Sequence, residues 1–204
     1  MRPGETAHLR VMRRASAVLL LSAAALAAQP LTQQQRDFAL SHLHATRKLF
    51  LDAIAGLSPA QWKFKPAPER WSIAECAEHV ALSEDFMFER VQKMVAAPAS
   101  PEKKPAVKDE ELMKGWLDRS QKAQASGATQ PTGRWGAPAK LAEFFIERRE
   151  GTLDYVRTTQ EALRSHFAGA GGLDAYQWLL SIAGHTERHV LQINEVKADP
   201  GYPR

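Results

Sequence analysis

Three of the seven histidines in this sequence have the spacing of a metal site. His185 and His189 stand four residues apart, and on a helix such positions project from nearly the same face, about 40° apart. Two imidazoles at that spacing can chelate one ion. His79, from another helix, would supply a third ligand and leave a tetrahedral metal with one open position. That is the catalytic rather than the structural pattern of zinc coordination.

The acidic residues near these histidines have other predicted roles. Glu187 follows His185 by two positions, about 200° around a helix, so it faces away from an ion held by the histidine pair. The pattern therefore differs from the His-Glu-x-x-His motif of zinc proteases, in which the glutamate adjoins the first histidine. Glu75 and Glu78 are predicted to serve in helix capping and surface solvation. No carboxylate is an obvious general base.

The single cysteine and the remaining histidines are weaker candidates. Cys76 lies one turn before His79 and would close the site as a fourth ligand, or else it is a small buried packing residue. His42 and His44 are two positions apart, so they point to different sides of their helix and cannot chelate one ion together. His166 is predicted at the C-terminal end of a helix, where a cation suits the helix dipole.

Helical periodicity continues through the chain from about residue 32. It predicts four long helices, at about residues 32–55, 72–95, 139–166 and 174–198, and a shorter one at about 109–125. Ser72 and Glu75 form a Ser-x-x-Glu capping box at the start of the second long helix. Segments rich in proline and glycine separate the helices, and no segment shows a convincing strand alternation.

The three candidate ligands lie on inward-facing helix surfaces. On the fourth long helix, residues spaced alternately by four and three positions lie on one face; they are Trp178, Ile182, His185, His189, Gln192 and Val196. His79 lies in a stripe beside the main apolar face of the second long helix. Metal sites of helix bundles are built from such facing surfaces. The sequence thus predicts an all-α four-helix bundle with its candidate site in the interior.

A long connection, residues 97–138, separates the second and third long helices. Its length permits a crossover, and with its short helix and loop it could cover or reshape the site. Within it, Trp135 is the best candidate for a lid. Arg148 and Tyr155 fall on one face of the third long helix, where they are candidates to contact an anionic substrate; surface or packing roles are the alternative.

The N-terminal 28 residues have the composition of an export signal. Arg10, Arg13 and Arg14 precede an apolar run at 15–28 that ends in small residues, as in a secretory signal peptide. The run is shorter than the roughly 20 residues of a membrane-spanning helix, so no stable span is expected after cleavage. An uncleaved N-terminus is the alternative. The sequence predicts a signal peptide at 1–28, one domain at 29–204, and a periplasmic or secreted mature protein.

The composition excludes several classes of function. The predicted signal peptide contains four of the 27 basic and one of the 23 acidic residues, so the remainder has a net charge of about +1. Without a dense basic patch, nucleic acid is not an expected partner.

One cysteine cannot form an intramolecular disulfide, so the core must stabilise the domain. A small molecule is the expected ligand, and homodimerisation is left open.

Three sequence segments together resemble the DinB-like family. They are Leu57-Ser58-Pro59-Ala60-Gln61-Trp62, then Arg70-Trp71-Ser72-Ile73-Ala74-Glu75 followed by His79, and Gly184-His185 through His189. The resemblance covers about residues 32–198. It implies a four-helix bundle with up-down-down-up topology and a divalent metal held by His79, His185 and His189. Some members of that family are thiol S-transferases that use bacillithiol, mycothiol or glutathione, and many have no assigned activity.

The sequence therefore predicts an exported, metal-binding bundle with S-transferase-like activity. Zinc is the expected ion, and nickel, iron and copper also accept imidazole ligands. The open coordination position would activate a low-molecular-weight thiol for S-transfer or a water for hydrolysis. The alternatives are thus a metal-dependent hydrolase and a noncatalytic module that holds a metal or another ligand. The sequence does not name the substrate.

Overall fold

The computed structural model describes residues 28–120, 124–125, 127–168 and 172–204. These residues form six α-helices and no named strand: α1 Gln33–Ile54, α2 Pro59–Lys63, α3 Ile73–Val95, α4 Asp109–Leu117, α5 Pro138–Thr158 and α6 Ala175–Lys197. The four long helices are α1, α3, α5 and α6. The prediction of an all-α four-helix bundle is confirmed.

Side-chain caps set the start of most of these helices. Complete capping boxes begin α1 at Thr32, α2 at Ser58 and α3 at Ser72. Asp174 caps α6 by accepting a hydrogen bond from the backbone N–H of Gln177 at 2.7 Å. A cap satisfies backbone donors that the first helical turn leaves unpaired, and each contributes about 1 kcal/mol. These short sequence signatures explain why the predicted and observed starts agree closely.

Two apolar clusters fill the bundle and reveal the helix directions. The first cluster joins the start of α1 and α6 to the end of α3 and α5, through residues such as Leu43, Leu179, Val91 and Leu153. The second cluster joins the opposite ends of the same four helices, through residues such as Phe50, Ile193, Ala77 and Phe145. Hence α1 and α6 run one way and α3 and α5 run the other. This is the expected up-down-down-up topology.

The parallel direction of α3 and α5 requires a crossover. Residues 96–137 return the chain from the end of α3 to the start of α5, and α4 within this segment packs against α6. The contact depends on Gly184 of α6, because a Cβ atom there would lie 2.5 Å from Cδ1 of Trp116. Arg188 holds the end of α4 by donating to the backbone carbonyls of Trp116 and Asp118.

A buried polar layer lies between the two apolar clusters. Arg149 of α5 donates to both carboxylate oxygens of Glu84 of α3 at 2.8 Å, and the two side chains are 0% and 1% exposed. The same guanidinium donates to the Leu43 carbonyl and the Thr46 hydroxyl of α1, and to the Thr186 hydroxyl of α6. One side chain therefore bonds to the other three long helices.

Two helix ends differ from the predictions, because tertiary contacts override local periodicity, and one short helix was missed. The third long helix ends at Thr158 rather than near 166, since a short 3₁₀ helix at Leu163–Ser165 is held by backbone and Arg164 contacts. The crossover helix α4 ends at Leu117 rather than near 125, where Arg188 takes its terminal carbonyls. The short helix α2 was not predicted, although the Ser58-x-x-Gln61 capping box is its signal.

Residues 1–27 of the predicted signal peptide lie outside the described residues, as do residues 169–171 of the glycine-rich segment between the third and fourth long helices. Among the helices that are described, none has the length and apolar character of a membrane span.

Candidate metal centre

The three predicted histidines converge in the bundle interior. His79 comes from the second turn of α3, and His185 and His189 come from successive turns of α6. One ring nitrogen from each lies within 4.8 Å of the other two. The Nε2 atoms of His79 and His185 are 3.0 Å apart. Among the described residues this group is the only cluster of ligand-type side chains with such geometry.

Hydrogen bonds on the outer side of two rings fix their tautomers. His79 donates from Nδ1 to the backbone carbonyl of Thr129 at 2.8 Å, and His189 donates from Nδ1 to Oε1 of Gln192 at 2.9 Å. A carbonyl oxygen can only accept, so in both neutral rings Nε2 carries a lone pair. Lone pairs directed inward, with the opposite ring nitrogen bonded to a carbonyl, are typical of metal-ligating histidines.

Burial favours the neutral form of all three imidazoles, because it lowers their pKa values. Desolvation lowers the pKa of His185 well below 6.5, and the neighbouring histidines lower it further. Desolvation and His79 together lower the pKa of His189 to about 3. For His79, desolvation outweighs the hydrogen bond to Thr129 and the pKa is again lowered. A neutral ring is the form that can coordinate a cation.

The crossover segment contacts two of the histidines directly and reaches the third through Gln192. The ring of Trp116 meets His185 edge-on at 5.6 Å, and Thr129 supplies the acceptor for His79. Arg119 donates to Gln192 Oε1, the acceptor of His189, while binding Glu195 with two hydrogen bonds of 2.9 Å. The described part of the crossover segment therefore completes the surroundings of the site as well as linking two helices.

A cavity of about 960 Å³ opens beside the histidines between α3 and α6. One end has an apolar wall formed by Phe86, Met87 and Trp178, and Trp71 and Trp116 also line it. Trp71 lies 5.0 Å from His79 and stacks at 6.2 Å on His189. The other end is charged, with Glu69, Arg70, Arg119, Arg188 and Glu195. Its size and mixed lining are those of a small-molecule site.

Glu78 corrects the prediction of a solvated surface carboxylate. Its side chain is only 3% exposed and accepts hydrogen bonds from three consecutive backbone N–H groups, those of Thr132, Gly133 and Arg134. The partners lie more than fifty residues away in the crossover segment, which is why local sequence patterns did not reveal them. The capping role predicted for Glu75 is confirmed by its bonds with Ser72.

The weaker histidine and cysteine candidates lie apart from the cluster. Cys76 is fully buried in the second apolar cluster and is not part of the three-histidine group. His42 packs edge-on against Phe38, and His44 contacts Arg157 on the surface of α1. His166 does not end a helix: it is buried after the 3₁₀ helix and donates to the carbonyl of Ala97 at 3.0 Å.

Three suggested ligand contacts are not found at the cavity. Trp135 packs on Phe144 at 5.0 Å, so Trp116 rather than Trp135 covers the site. Arg148 lies over the Phe144 ring and near Asp85, and Tyr155 packs edge-on against Phe88. Arg148 and Tyr155 therefore have the surface and packing roles that the sequence offered as the alternative, because the face of α5 that carries them is turned away from the groove between α3 and α6. Trp135, which precedes α5, is not the lid that the sequence suggested.

Comparison with known proteins agrees with this architecture. No curated protein matches the chain. Among solved structures, YfiT from Bacillus subtilis has a TM-score of 0.57 at 16% identity, covering 85% of this chain and 91% of that chain. It is described as a probable metal-dependent hydrolase with an unusual four-helix bundle topology, and at this identity the likeness shows the fold alone. A sequence model of the DinB superfamily matches residues 42–193, and the chain belongs to that superfamily.

Proposed function

We propose that the protein binds one divalent cation through the imidazoles of His79, His185 and His189. The observation that carries the proposal is the convergence of three neutral imidazoles, two of which are held by outer hydrogen bonds with Nε2 directed inward. The Nε2 atoms of His79 and His185 are 3.0 Å apart, and Nε2 of His79 carries a lone pair, so a proton on His185 Nε2 or a cation fits between the two rings. The donor set therefore fits a metal ion.

Zinc is the ion that we propose, because imidazole nitrogen is among its preferred ligands and three protein ligands leave a position open. Nickel, iron and copper are the alternatives that the same donors accept. When bound, such a cation acts as a Lewis acid that lowers the pKa of a water or thiol beside it. The three histidines would hold the cation, and Trp71 and Trp116, which contact His79 and His185, line the cavity beside it.

We propose hydrolysis of a small molecule as the reaction. The description of YfiT as a probable metal-dependent hydrolase supports this choice, as does a cavity large enough for a substrate beside the histidines. The wall of Phe86, Met87 and Trp178 would hold an apolar part of the substrate. Transfer to a low-molecular-weight thiol is the second candidate, because a cavity of about 960 Å³ also has room for two reactants.

Metal content across histidine variants tests the binding proposal. We expect about one zinc per chain in the wild type after mild dialysis. His79→Ala, His185→Ala and His189→Ala should each lose most of it, because two imidazoles hold zinc far less tightly than three. The controls His42→Ala and His44→Ala should retain wild-type metal. Wild-type occupancy in His185→Ala and His189→Ala would refute the proposed ligand set.

Reaction type is tested with the same proteins. A panel of aryl esters and amides is assayed with and without added zinc, and a matching panel of electrophiles is assayed with glutathione and bacillithiol. Turnover that needs metal but no thiol supports hydrolysis, and turnover that needs both supports S-transfer. A metal-loaded protein that turns over neither panel would favour the noncatalytic module.

We also propose that the mature protein is exported and binds neither nucleic acid nor membrane stably. The basic flank and apolar run within residues 1–28 support export, and the net charge of about +1 beyond them argues against a phosphate-backbone partner. Intact-mass analysis of protein from its native compartment should find a start near Ala28 or Gln29. A full-length cytosolic product would refute export, and native mass spectrometry of the same sample would report whether the protein is a homodimer.

A further inference from the structure

Glu78 holds a loop of the crossover segment by its carboxylate. Oε1 accepts from the backbone N–H of Thr132 at 2.9 Å and from its hydroxyl at 3.2 Å. Oε2 accepts from the N–H groups of Gly133 at 2.8 Å and Arg134 at 3.2 Å. Consecutive N–H groups that converge on one anion form a nest, and Gly133 permits it with a φ of 82°.

The loop held by Glu78 also supplies the acceptor for the adjacent histidine. Thr129 lies three residues before Thr132, is 7% exposed, and accepts the Nδ1–H of His79 through its carbonyl. Glu78 and His79 are neighbours on α3, so the carboxylate attaches the loop to the same helical turn that carries the imidazole. The carbonyl and the ring are thereby fixed relative to each other.

We propose that Glu78 is a positioning residue of the histidine centre, acting through the loop and Thr129 on the tautomer and orientation of His79. This inference rests on the proposed metal site. Glu78 does not line the cavity, so it has no contact with substrate. Its effect is to keep Nδ1–H of His79 bonded outward and the Nε2 lone pair inward. Outer hydrogen bonds of this kind typically contribute 10- to 100-fold, roughly, to metal affinity.

Glu78→Gln is the direct test. The amide keeps one oxygen that can accept, but its NH₂ group cannot accept from the backbone N–H groups of the nest, so the loop is held less firmly. In the metal-free protein, ¹⁵N-edited NMR of the imidazole should show His79 as a single Nδ1–H tautomer in the wild type and as a mixture in Glu78→Gln. Zinc affinity, measured by competition with a chromophoric chelator, should fall by about 10-fold or more.

Glu75→Gln is the matched control on the preceding turn of α3. It weakens a helix cap and so costs stability, but Glu75 has no contact with the loop, so the His79 tautomer and zinc affinity should stay at wild-type values. Gly133→Ala is a second variant for the case in which Glu78→Gln does not fold. It strains the nest from the loop side, because φ of Gly133 is positive while an added Cβ would meet no atom within 4 Å, and it should also lower zinc affinity.

The outcomes separate this inference from the proposed function. Wild-type tautomer and zinc affinity in Glu78→Gln, or in Gly133→Ala if Glu78→Gln is unfolded, would overturn the positioning role. If the wild-type protein binds no zinc, the proposed function fails, whereas the tautomer measurement on metal-free protein still decides whether Glu78 positions His79. A fall in zinc affinity without any change in the tautomer would also contradict the mechanism.

Discussion

At the scale of the residue, burial determines the reactivity of the Cys76 thiol. Desolvation raises the pKa of its thiol to about 12, so the nucleophilic thiolate is scarce near neutral pH. Its side chain packs among the apolar residues at the end of the bundle that contains the start of α3. A sulfur in this position serves packing, and its place one turn from His79 does not make it reactive.

We expect Cys76 to be inert in the folded protein. Iodoacetamide should label it on the order of 100-fold or more slowly in the native state than in denaturant, because both access and thiolate fraction are reduced. Cys76→Ala should keep wild-type zinc content. Rapid native labelling that is accompanied by release of zinc would show instead that the sulfur is a ligand; mass spectrometry and metal analysis of the same sample measure both.

The lowered histidine pKa values predict that the metal-free protein is destabilised by acid. Below about pH 6.5 the histidines of the unfolded chain bind protons, whereas those of the folded site stay neutral. The free energy of unfolding therefore decreases as pH falls, and for His189 this continues until the pH reaches its folded-state pKa of about 3. Each titrating histidine contributes a slope of about 1.4 kcal/mol per pH unit. Zinc affinity should fall in the same direction, because protons compete for the same nitrogens.

Urea denaturation of metal-free protein between about pH 7.5 and about pH 5 measures this slope. The range is chosen because most carboxylates titrate below it. His189→Gln should show a shallower decline than the wild type, since the unfolded variant has one fewer proton site. A free energy of unfolding that is constant over this range would mean that the three rings are not held neutral by burial.

At the scale of the element, α4 depends on a glycine of α6. The chain offers no space for a methyl group at Gly184, since a Cβ would meet three atoms of Trp116 at 2.5 to 2.9 Å. Trp116 is further held by a hydrogen bond from its Nε1 to the hydroxyl of Ser181 at 3.2 Å. The fit of Trp116 against Gly184 therefore holds α4 next to His185, although glycine at this position is less favourable to helix α6 than alanine.

Gly184→Ala should loosen α4 while leaving the histidines in place. Hydrogen exchange over residues 109–117 should become faster than in the wild type, although alanine favours helix α6 by about 1 kcal/mol. Gly151→Ala is the control, because that position in α5 has nothing within 4 Å and should be neutral or stabilising. Unchanged protection of α4 in Gly184→Ala would show that the contact with Trp116 does not hold the helix.

At the scale of the whole molecule, the polar layer of Glu84 and Arg149 ties the four long helices together. All the hydrogen bonds of the layer are internal, and each participating threonine hydroxyl also donates to a carbonyl or carboxylate. A buried ion pair contributes little net stability, since desolvation offsets the attraction, but an unpaired buried charge is costly. We expect the layer to specify how the helices align.

Arg149→Met should destabilise the protein by about 3–5 kcal/mol, because it leaves the Glu84 carboxylate buried without its partner. The double variant Glu84→Leu/Arg149→Met should recover much of that loss, because the remaining hydroxyls keep their helical carbonyl acceptors. Arg148→Met, on the exposed neighbour, is the control and should change stability little. Equal losses in the single and double variants, measured by urea denaturation, would argue against this account.

The sequence by itself determined the features that depend on neighbours within about one or two helical turns. Ser72 and Glu75 predict the start of α3, the four-residue spacing of His185 and His189 predicts a shared face, and apolar periodicity predicts the four long helices. These signals are local, since a capping bond or a helix face is completed by residues three or four positions away. The resemblance of three motifs then led from the helices to the correct topology.

Only the tertiary structure decided the features that depend on distant partners. Glu78 meets its loop partner 54 residues along the chain, and Arg149 meets Glu84 65 residues away. The sequence predicts solvation for Glu78, which is buried, and it offers the exposed Arg148 as a candidate but not Arg149. The reason is that the partners of Glu78 and Arg149 do not lie at helical spacing from them in the sequence. Helix packing alone brings such residues together, and the cost of burying an unpaired charge requires that they be paired.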